Sequence, residues 1–434
     1  MNLKSLLDHP ALRWLIPGLS LKRWLLLMLF GMVLIALGAG YMVVEVYRKG
    51  SVPSVFYYLT LQFWPRWLRA VLVGGLGMGC MLMGFYQFNK SLLNSVREDD
   101  QPLVEKLWQQ RITSQGPRIV AIGGGHGLAA LLRGLKKKTT NITAIVTVAD
   151  DGGSSGRLRR DFGTLPPGDF RMCISALADD ESLVTQLFQY RFGKSASGEN
   201  GLSGHSFGNL FILAMAELTG SFEKALLESS KVVASAGRIV PSTLQDVVLC
   251  AEFKMPVDAE RTAPTQARGE SSIGQVGLPI ERVWLEPNDV PAFPEARRAI
   301  LNAELVVMGP GSLFTSVMPN VLVPGIVEAL RETQAKCVYV CNVATERGET
   351  DQFSLEDHVS ALEKHIGKGI VDFVIVNNHV KDSFEPPVGV TIVQPAAHIQ
   401  TSSAQMVLVD VVDDATPWRH DATKLAEAVL NLLR

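Results

Sequence analysis

The turn GGGHG, at positions 123 to 127, is the first segment whose residue types suit ligand chemistry. It follows the apolar run Arg118 to Ile122 and precedes the helical stretch Leu128 to Lys138. Glycines in such a turn allow unusual backbone angles and close approach of a ligand, and the N–H groups that begin a helix attract phosphate. The candidate ligand-binding residues are Gly123, Gly124, Gly125, His126 and Gly127. A plain tight turn is the alternative interpretation.

A pair of neighbouring carboxylates, Asp150 and Asp151, comes just after the next β-branched run, Ile142 to Val148. Adjacent carboxylates at the end of a strand hold Mg²⁺ or grip ribose hydroxyls. The residues that follow add hydroxyl and guanidinium donors for phosphate, namely Ser154, Ser155 and Arg157. The pair is a candidate Mg²⁺ site. A solvated loop is the alternative.

Two further polar segments, PPGDFR and GHSFGN, each precede a predicted helix. Asp169 fits either a helix N-cap or an active-site role. Arg171 opposes the helix dipole in a first turn, which favours a ligand role. His205 and Asn209 could reach a substrate or orient a metal-bound water, although a lone histidine is equally a structural residue. The candidate catalytic residues are therefore Asp150, Asp151, His205 and Asn209.

A last glycine-rich turn, GPGSLFTS, follows the apolar run Leu305 to Met308. Its backbone amides and hydroxyls form another phosphate-cradling arrangement, with Gly309, Gly311 and Ser312 as candidate ligand contacts. Asn342 follows the run Cys337 to Val340 in the same way.

Several short apolar runs thus end in glycine or small polar residues, with helical stretches between them. Strand, helix and strand within about thirty residues make a βαβ unit. Ligands of open parallel sheets bind beyond the carboxyl ends of the strands. The sequence predicts an α/β, Rossmann-like three-layer domain with a mostly parallel sheet and one ligand crevice at that edge.

The N-terminal part carries two long uncharged runs, Leu25 to Val44 and Ala70 to Phe88. Each is long enough to cross a hydrocarbon layer of ~30 Å, and basic and aromatic residues flank both. We predict a two-helix transmembrane hairpin. The predicted segments are a cytosolic N-terminus 1–23, helices 24–46 and 67–89 around a loop 47–66, a linker 90–117 and the ligand-binding domain 118–434.

Composition excludes some classes of protein. Net charge is −2 and no clustered basic footprint is visible, so nucleic acid is not an expected partner. The 5 cysteines lack C-x-x-C spacing, which suits a reducing compartment rather than a disulfide framework. The oligomeric state stays open, a homo-oligomer included.

The motif blocks resemble those of the YvcK family, also called gluconeogenesis factors, within the CofD-like proteins. The matching blocks run from about Arg118 to Val380: GGGHG, VTVADDGGSSGRLR, PPGDFR, HSFGN, GRIVPST, GESSI, GPGSLFTS and CNVATERGET. The resemblance implies a CofD-type fold. It also implies a binder of UDP-sugars or similar nucleotides that regulates carbon metabolism, cell shape and wall synthesis. The family domain is cytosolic, so the hairpin would anchor it at the inner or plasma membrane.

Two alternatives to this function stay open. CofD itself transfers a phospholactyl group from a guanylylated donor to a deazaflavin, using Mg²⁺. The spacing Gly125-x-Gly127-x-x-Ala130 also fits a dinucleotide fingerprint, which would suit an NAD-dependent oxidoreductase. One departure from the family stands out, because the glycine turn usually reads GGGTG and here has His126.

Overall fold

The computed structural model describes residues 113–178, 183–193, 201–254, 266–379, 387–394 and 402–433, with isolated positions between 32 and 83. The chain divides into two compact units, Met1–Gln110 and Arg111–Arg434. The predicted membrane-spanning helices fall in the first unit and lie mostly outside the described residues, so the hairpin stays a prediction.

Within the described part of the chain, no single helix is both long and apolar enough to cross a bilayer. The helices Leu313–Val321 and Pro324–Glu332 meet that measure only when they are taken together, and the two are bent by 76° relative to each other.

The second unit alternates strands and helices. The described strands are β1 (Ile119–Gly123), β2 (Ile142–Val146), β3 (Arg238–Pro241), β4 (Val248–Phe253), β5 (Gln266–Arg268), β6 (Ile280–Glu286), β7 (Leu305–Met308), β8 (Lys336–Val340), β9 (Phe373–Asn377) and β10 (Gln405–Val409). The described helices are α1 (Gly125–Leu135), α2 (Gly153–Phe162), α3 (Gly168–Leu177), α4 (Leu183–Gln189), α5 (Phe207–Thr219), α6 (Phe222–Val232), α7 (Glu270–Val276), α8 (Pro294–Leu301), α9 (Met318–Val321), α10 (Pro324–Glu332), α11 (Leu355–Ile366) and α12 (Ala422–Asn431). A π-helical turn, Leu313–Val317, precedes α9.

The main sheet is parallel and has the strand order β10-β9-β8-β7-β1-β2-β3. Strands β1 and β7 lie at its centre, and every residue of both is buried. Apolar, β-branched runs without alternation are typical of strands covered on both faces, and they explain this burial. The predicted α/β class and mostly parallel sheet are confirmed.

The strand order contains a switch point between β1 and β7. From β1 the chain winds through β2 to β3, and it then returns to β7 and winds the other way to β10. The connections leaving β1 and β7 therefore diverge, which opens a crevice at their carboxyl ends. The glycine turns that follow these two strands border that crevice.

A second, antiparallel sheet has the order β5-β4-β6. Sequence analysis did not predict it. Strand β6 alternates between buried and more exposed residues, as a sheet with one covered face requires. Its importance for the site is that β5 leads through Gly269 into helix α7.

Helices α3 and α12 pack against α1. The contact with α12 needs a glycine at position 134, because a Cβ there would overlap the Ala422 carbonyl oxygen. This close packing holds the C-terminal end of α1 against α12.

Candidate functional site

The two glycine turns at the switch point touch each other. The N–H of Gly309 donates to the Ile122 carbonyl over 2.8 Å. A Cβ at Gly127 would lie 2.5 Å from the Pro310 carbonyl oxygen, so only glycine fits between the turns. The buried Asn320 amide donates to the carbonyl of Gly123 over 3.0 Å and fixes the end of β1. The turns thus form one rigid floor.

A cleft of about 800 Å³ opens above this floor. It is lined by backbone of both glycine turns and by polar side chains from distant parts of the chain. Its lining includes His126, Arg133, Asp150, Asp169, Glu270, Ser312, Asn342, Glu346, Arg347, Trp418 and Arg419.

One wall of the cleft is acidic. Asp150 follows β2, Asp169 lies in the first turn of α3, and Glu270 begins α7. Burial raises the pKa of Asp169 to about 7, and the charge of Asp150 adds to this shift. Burial also raises the pKa of Glu270 to about 9, with Asp150 and Asp169 contributing. Three carboxyl groups this close cannot all ionise without a proton or a cation between them.

Asp150 is held by its own loop. Its carboxylate accepts the N–H of Gly152 over 2.8 Å and a hydrogen bond from the Ser155 hydroxyl. Burial nevertheless raises its pKa above the usual value, because these bonds only partly offset the loss of solvent. Ser155 therefore binds the Asp150 carboxylate and is not among the described residues that line the cleft.

The side chain of Asp169, which belongs to α3, lies against the start of α1. Its carboxylate accepts the N–H of Gly125. A Cβ on Gly124 would overlap the Asp169 Oδ2, so this residue has to be glycine. Helix α1 has no side-chain cap of its own at Gly124. The protein's own carboxylate thus occupies part of the helix N-terminus that the sequence offered as a phosphate cradle.

Asp151 makes a different contact from Asp150. Its Oδ1 accepts the N–H of Ser271 over 2.8 Å, which caps the beginning of α7. It is absent from the lining of the cleft within the described residues. Only Asp150 of the predicted carboxylate pair therefore lines the cleft, although the charge of Asp151 still raises the pKa of Asp150.

His205 and Asn209 meet Ser154 in a buried network. Ser154 Oγ lies 2.9 Å from His205 Nδ1, and the Asn209 amide donates to the same Oγ over 3.1 Å. Arg171 donates from Nε to the Asn209 Oδ1 over 3.0 Å. Ser154 Oγ therefore stands between the Asn209 amide and the imidazole of His205.

This network joins the starts of α2, α3 and α5. Burial and the charge of Arg157 lower the pKa of His205, which matches a neutral imidazole. Arg157 itself donates to the Ser203 carbonyl over 2.9 Å. These predicted site residues therefore lie next to the acidic wall. Among the described residues, they are not part of the cleft lining.

The cleft also carries basic side chains. His126 lies in the first turn of α1, and the cleft lining adds Arg133, Arg347 and Arg419. Burial, then the charges of Arg419, Arg171 and Arg133, lower the pKa of His126. The arginines offer charge-assisted donors to an anion in the same cleft as the carboxyl groups.

The turn after β7 is capped by carboxylates as well. Glu349 accepts the Thr315 hydroxyl over 3.0 Å and the backbone N–H groups of Phe314 and Thr315. Burial raises its pKa to about 8. Ser312 donates to Glu346, whose pKa burial also raises. The amides after Ser312 are thus partly engaged by the protein itself.

Gly311, in the same turn, lines the cleft. Its N–H lies 3.4 Å from the Asn342 Oδ1, and both residues line the cleft with Ser312. The predicted contacts from the loops after β7 and β8 therefore do meet at one place.

Nine of the eighteen residues proposed from the sequence line the cleft, and the structure adds others. Glu270, Glu346, Arg133, Arg347, Trp418 and Arg419 also line the cleft. Glu270 and Glu346 lie within the blocks GESSI and CNVATERGET, which would have been the signal for them. Trp418 and Arg419 lie in a late loop without a motif that points to a site. Among the described residues, no three His, Cys, Asp or Glu side chains come together as a ready metal site.

Comparison with known proteins gives a consistent result. A family model described as 2-phospho-L-lactate transferase CofD matches residues 119–422. The gluconeogenesis factor of Bacillus subtilis (strain 168) is 43% identical over 326 residues, covering 74% of this chain and 99% of the relative. A relative from Nostoc sp. (strain PCC 7120) is 41% identical over 96% of this chain and 91% of its own length.

A solved structure agrees with this likeness. The crystal structure of a member of the UPF0052 family from Bacillus halodurans has a TM-score of 0.66 and 41% identity to this chain. It covers 73% of this chain and 99% of that protein.

Proposed function

This chain belongs to the CofD family, and from that premise we propose that it binds a UDP-sugar or a similar nucleotide in the cleft at the switch point. Binding would report the level of the nucleotide and regulate carbon metabolism, cell shape and wall synthesis. The name gluconeogenesis factor of the Bacillus subtilis relative supports the metabolic part of this role.

The observation that carries the proposal is that one cleft is lined by both arginines and carboxyl groups. Arg133 and Arg419 suit a pyrophosphate, to which they would give charge-assisted hydrogen bonds. The carboxyls of Asp150 and Glu270 suit sugar or ribose hydroxyls. A molecule with both a diphosphate and hydroxyl-rich rings satisfies both kinds of group at once.

Trp418 supplies the element that a nucleotide base needs. Its ring lines the cleft next to Arg419. Base–aromatic stacking is worth ~1–3 kcal/mol and tolerates any base. Trp418 therefore suits the base of the nucleotide, while Arg419 beside it suits the phosphate.

Mg²⁺ fits the acidic wall. Asp150 and Asp169 present carboxyl oxygens to one cleft, and burial has raised the pKa of each. Mg²⁺ is usually held by one or two carboxylates together with substrate phosphates and water. These two residues would hold the ion, which when bound would offset the repulsion between the carboxylates and the pyrophosphate.

A second function, transfer chemistry of the CofD type, is favoured by a different observation. The matched family model carries the name of a phospholactate transferase. Glu270 and Asp169 are carboxyl groups whose pKa values of about 9 and 7 would suit proton transfer near neutral pH. If the chain is a transferase, it should turn over its substrates. If it is a regulator, it should bind the nucleotide without turnover.

Ligand profiling separates these functions. The full-length chain, purified in detergent, would be titrated in a calorimeter with UDP-N-acetylglucosamine, UDP, GDP and NAD⁺, each with and without Mg²⁺. We expect saturable binding of the UDP compounds, strengthened by Mg²⁺, and no product by mass spectrometry. Release of GMP from a guanylylated donor with a deazaflavin acceptor would establish the transferase instead. Absence of binding by every UDP compound would refute the regulator.

A matched pair of variants ties binding to the cleft. Arg419→Ala removes a charged donor from the cleft lining, so the UDP-sugar should bind about 10- to 100-fold more weakly. Arg297→Ala removes an arginine that pairs with Glu332 on the surface, away from the cleft lining. Equal affinities for the two variants would exclude Arg419 from the site.

Anchoring at the inner or plasma membrane is also part of the proposal. It rests on the two uncharged runs of the N-terminal unit and on their flanking basic and aromatic residues. Cell fractionation tests it: the chain should stay in the membrane pellet after alkaline carbonate extraction. Release of the full-length chain into the supernatant would contradict the anchor.

A further inference from the structure

Asp151 and Ser271 are 120 positions apart in the chain and meet at the start of helix α7. Asp151 Oδ1 accepts the Ser271 N–H over 2.8 Å. Helix α7 has no side-chain cap of its own, because its N-cap residue is Gly269. The carboxylate of Asp151, from a distant loop, thus replaces the missing N-cap side chain.

The backbone at Gly269 is shaped for this contact. Its φ is +95°, a conformation that L side chains rarely adopt, and a Cβ there would overlap the Asp151 Oδ2. The Gly269 N–H donates to the Leu249 carbonyl over 2.8 Å, which ties the same residue to β4. The turn is therefore held from both sides, by β4 and by Asp151.

Glu270 is the residue between Gly269 and Ser271, and it faces the cleft. Its Oε2 is buried and has no hydrogen-bond partner among the described residues. An unpartnered buried carboxyl oxygen is costly unless something else satisfies it. A bound ligand would supply the missing partner, because Glu270 lines the cleft with Asp150 and Asp169.

We infer that Asp151 is a positioning residue, whose cap on α7 holds Glu270 in the cleft against the ligand. This inference rests on the proposed function for its ligand. It assigns Asp151 a role different from that of Asp150. A metal-binding pair would need the negative charge of both residues, whereas a cap needs only an acceptor oxygen at Asp151.

Two substitutions at one position separate these roles. Asp151→Asn keeps an acceptor oxygen for the Ser271 N–H and removes the charge, and Asp151→Ala removes both. We expect Asp151→Ala to weaken UDP-N-acetylglucosamine binding about fivefold, the usual effect of losing a helix cap. We expect Asp151→Asn to bind as the wild type does. If Asp151→Asn binds as poorly as Asp151→Ala, the charge matters and the inference is wrong.

A double-mutant cycle with Glu270→Ala tests the path of the effect. If Asp151 acts through Glu270, the double variant should bind no more weakly than Glu270→Ala alone. Additive losses would show that Asp151 acts independently and would overturn the inference. Ser271→Ala is the matched control, because it keeps the backbone N–H that Asp151 binds.

Amide hydrogen exchange, measured without ligand, tests the Asp151 cap independently of the proposed function. Asp151→Ala should speed exchange of the amides of residues 271–276 about fivefold, while Asp151→Asn and Ser271→Ala should leave it unchanged. If the wild type binds no UDP compound, the proposed function fails while the exchange result still judges the cap. Unchanged exchange in Asp151→Ala would refute the cap itself.

Discussion

Arg171 donates from its Nε to the side-chain oxygen of Asn209 over 3.0 Å, and this contact fixes which way the Asn209 amide points. With its oxygen engaged, the amide nitrogen of Asn209 faces Ser154, 3.1 Å away. The chain of contacts continues from Ser154 to His205 Nδ1, 2.9 Å away. It joins the starts of α2, α3 and α5.

Removal of Asn209 should therefore destabilise the domain. The residue is 2% exposed and serves two side-chain partners, so Asn209→Ala would leave the Ser154 hydroxyl and the Arg171 guanidinium with one partner fewer. We expect a loss of ~2–3 kcal/mol in the free energy of unfolding, measured with urea. Asn302→Ala, at an exposed amide bonded to Arg298, is the control. A loss no larger than that of the control would mean that the network has little role in stability.

The glycine turn offers a test of packing against the carboxylate of Asp169. Gly124→Ala would add a Cβ that overlaps the Asp169 Oδ2 and lies 3.0 Å from the Thr147 Cγ2. We expect thermal unfolding to reveal a destabilisation of ~1–3 kcal/mol, as for other overpacked sites. Gly193→Ala, where no atom lies within 4 Å, should be nearly neutral.

A second substitution identifies the cause of that loss. The shorter side chain of Asp169→Ser makes room for the new methyl group, so Gly124→Ala should cost less stability in that background. Equal costs in the two backgrounds would show that Asp169 is not what excludes a side chain from position 124.

The fold could be predicted from the sequence to a large extent. Runs such as Ile142 to Val148 and Leu305 to Met308 have no polar alternation, and that pattern alone indicates strands covered on both faces. The helix starts were marked by glycine and by Ser206, which caps α5. The small antiparallel sheet was not predicted, although its strand β6 alternates between buried and more exposed residues; only β5, with 3 residues, is too short to show a period.

The site was less predictable, for a physical reason. The sequence prediction treated Asp150 and Asp151 as equivalent, because they are adjacent residues between an apolar run and a glycine-rich turn. The fold decides what each of them contacts, and Asp151 contacts an amide 120 positions later in the chain. The block GESSI was the signal for Glu270, but the contact between Asp151 and Ser271 beside it is long-range and no local pattern shows it.

The carboxyl of Asp169 should make stability depend on pH. Burial raises its pKa in the folded domain from 3.8 to about 7, so folding takes up a proton between those values. Its contribution is thus most favourable below pH 3.8 and is lost as the pH rises through 7. Urea unfolding should find Asp169→Asn more stable than the wild type at pH 8 but not at pH 4.5, a change on the order of 2 kcal/mol.

Mg²⁺ supplies the control for that prediction. An ion held by the carboxylates should restore part of the stability of the wild type at pH 8 and do less for Asp169→Asn. The same substitution at the exposed Asp289 provides a comparison outside the cleft. If the difference between Asp169→Asn and the wild type is the same at both pH values, Asp169 does not change its proton on folding.

His126 should couple ligand binding to proton uptake. In the free protein, burial and the charges of Arg419, Arg171 and Arg133 lower the pKa of His126, so the ring is neutral near pH 7. A bound pyrophosphate would favour the charged ring, so affinity should rise as the pH falls from 7.5 to 5.5. Calorimetry in buffers of different ionisation enthalpy measures this uptake. His126→Thr, with the residue usual in the family, should take up fewer protons, whereas uptake equal to that of the wild type would assign the proton to Asp169 or another carboxyl group.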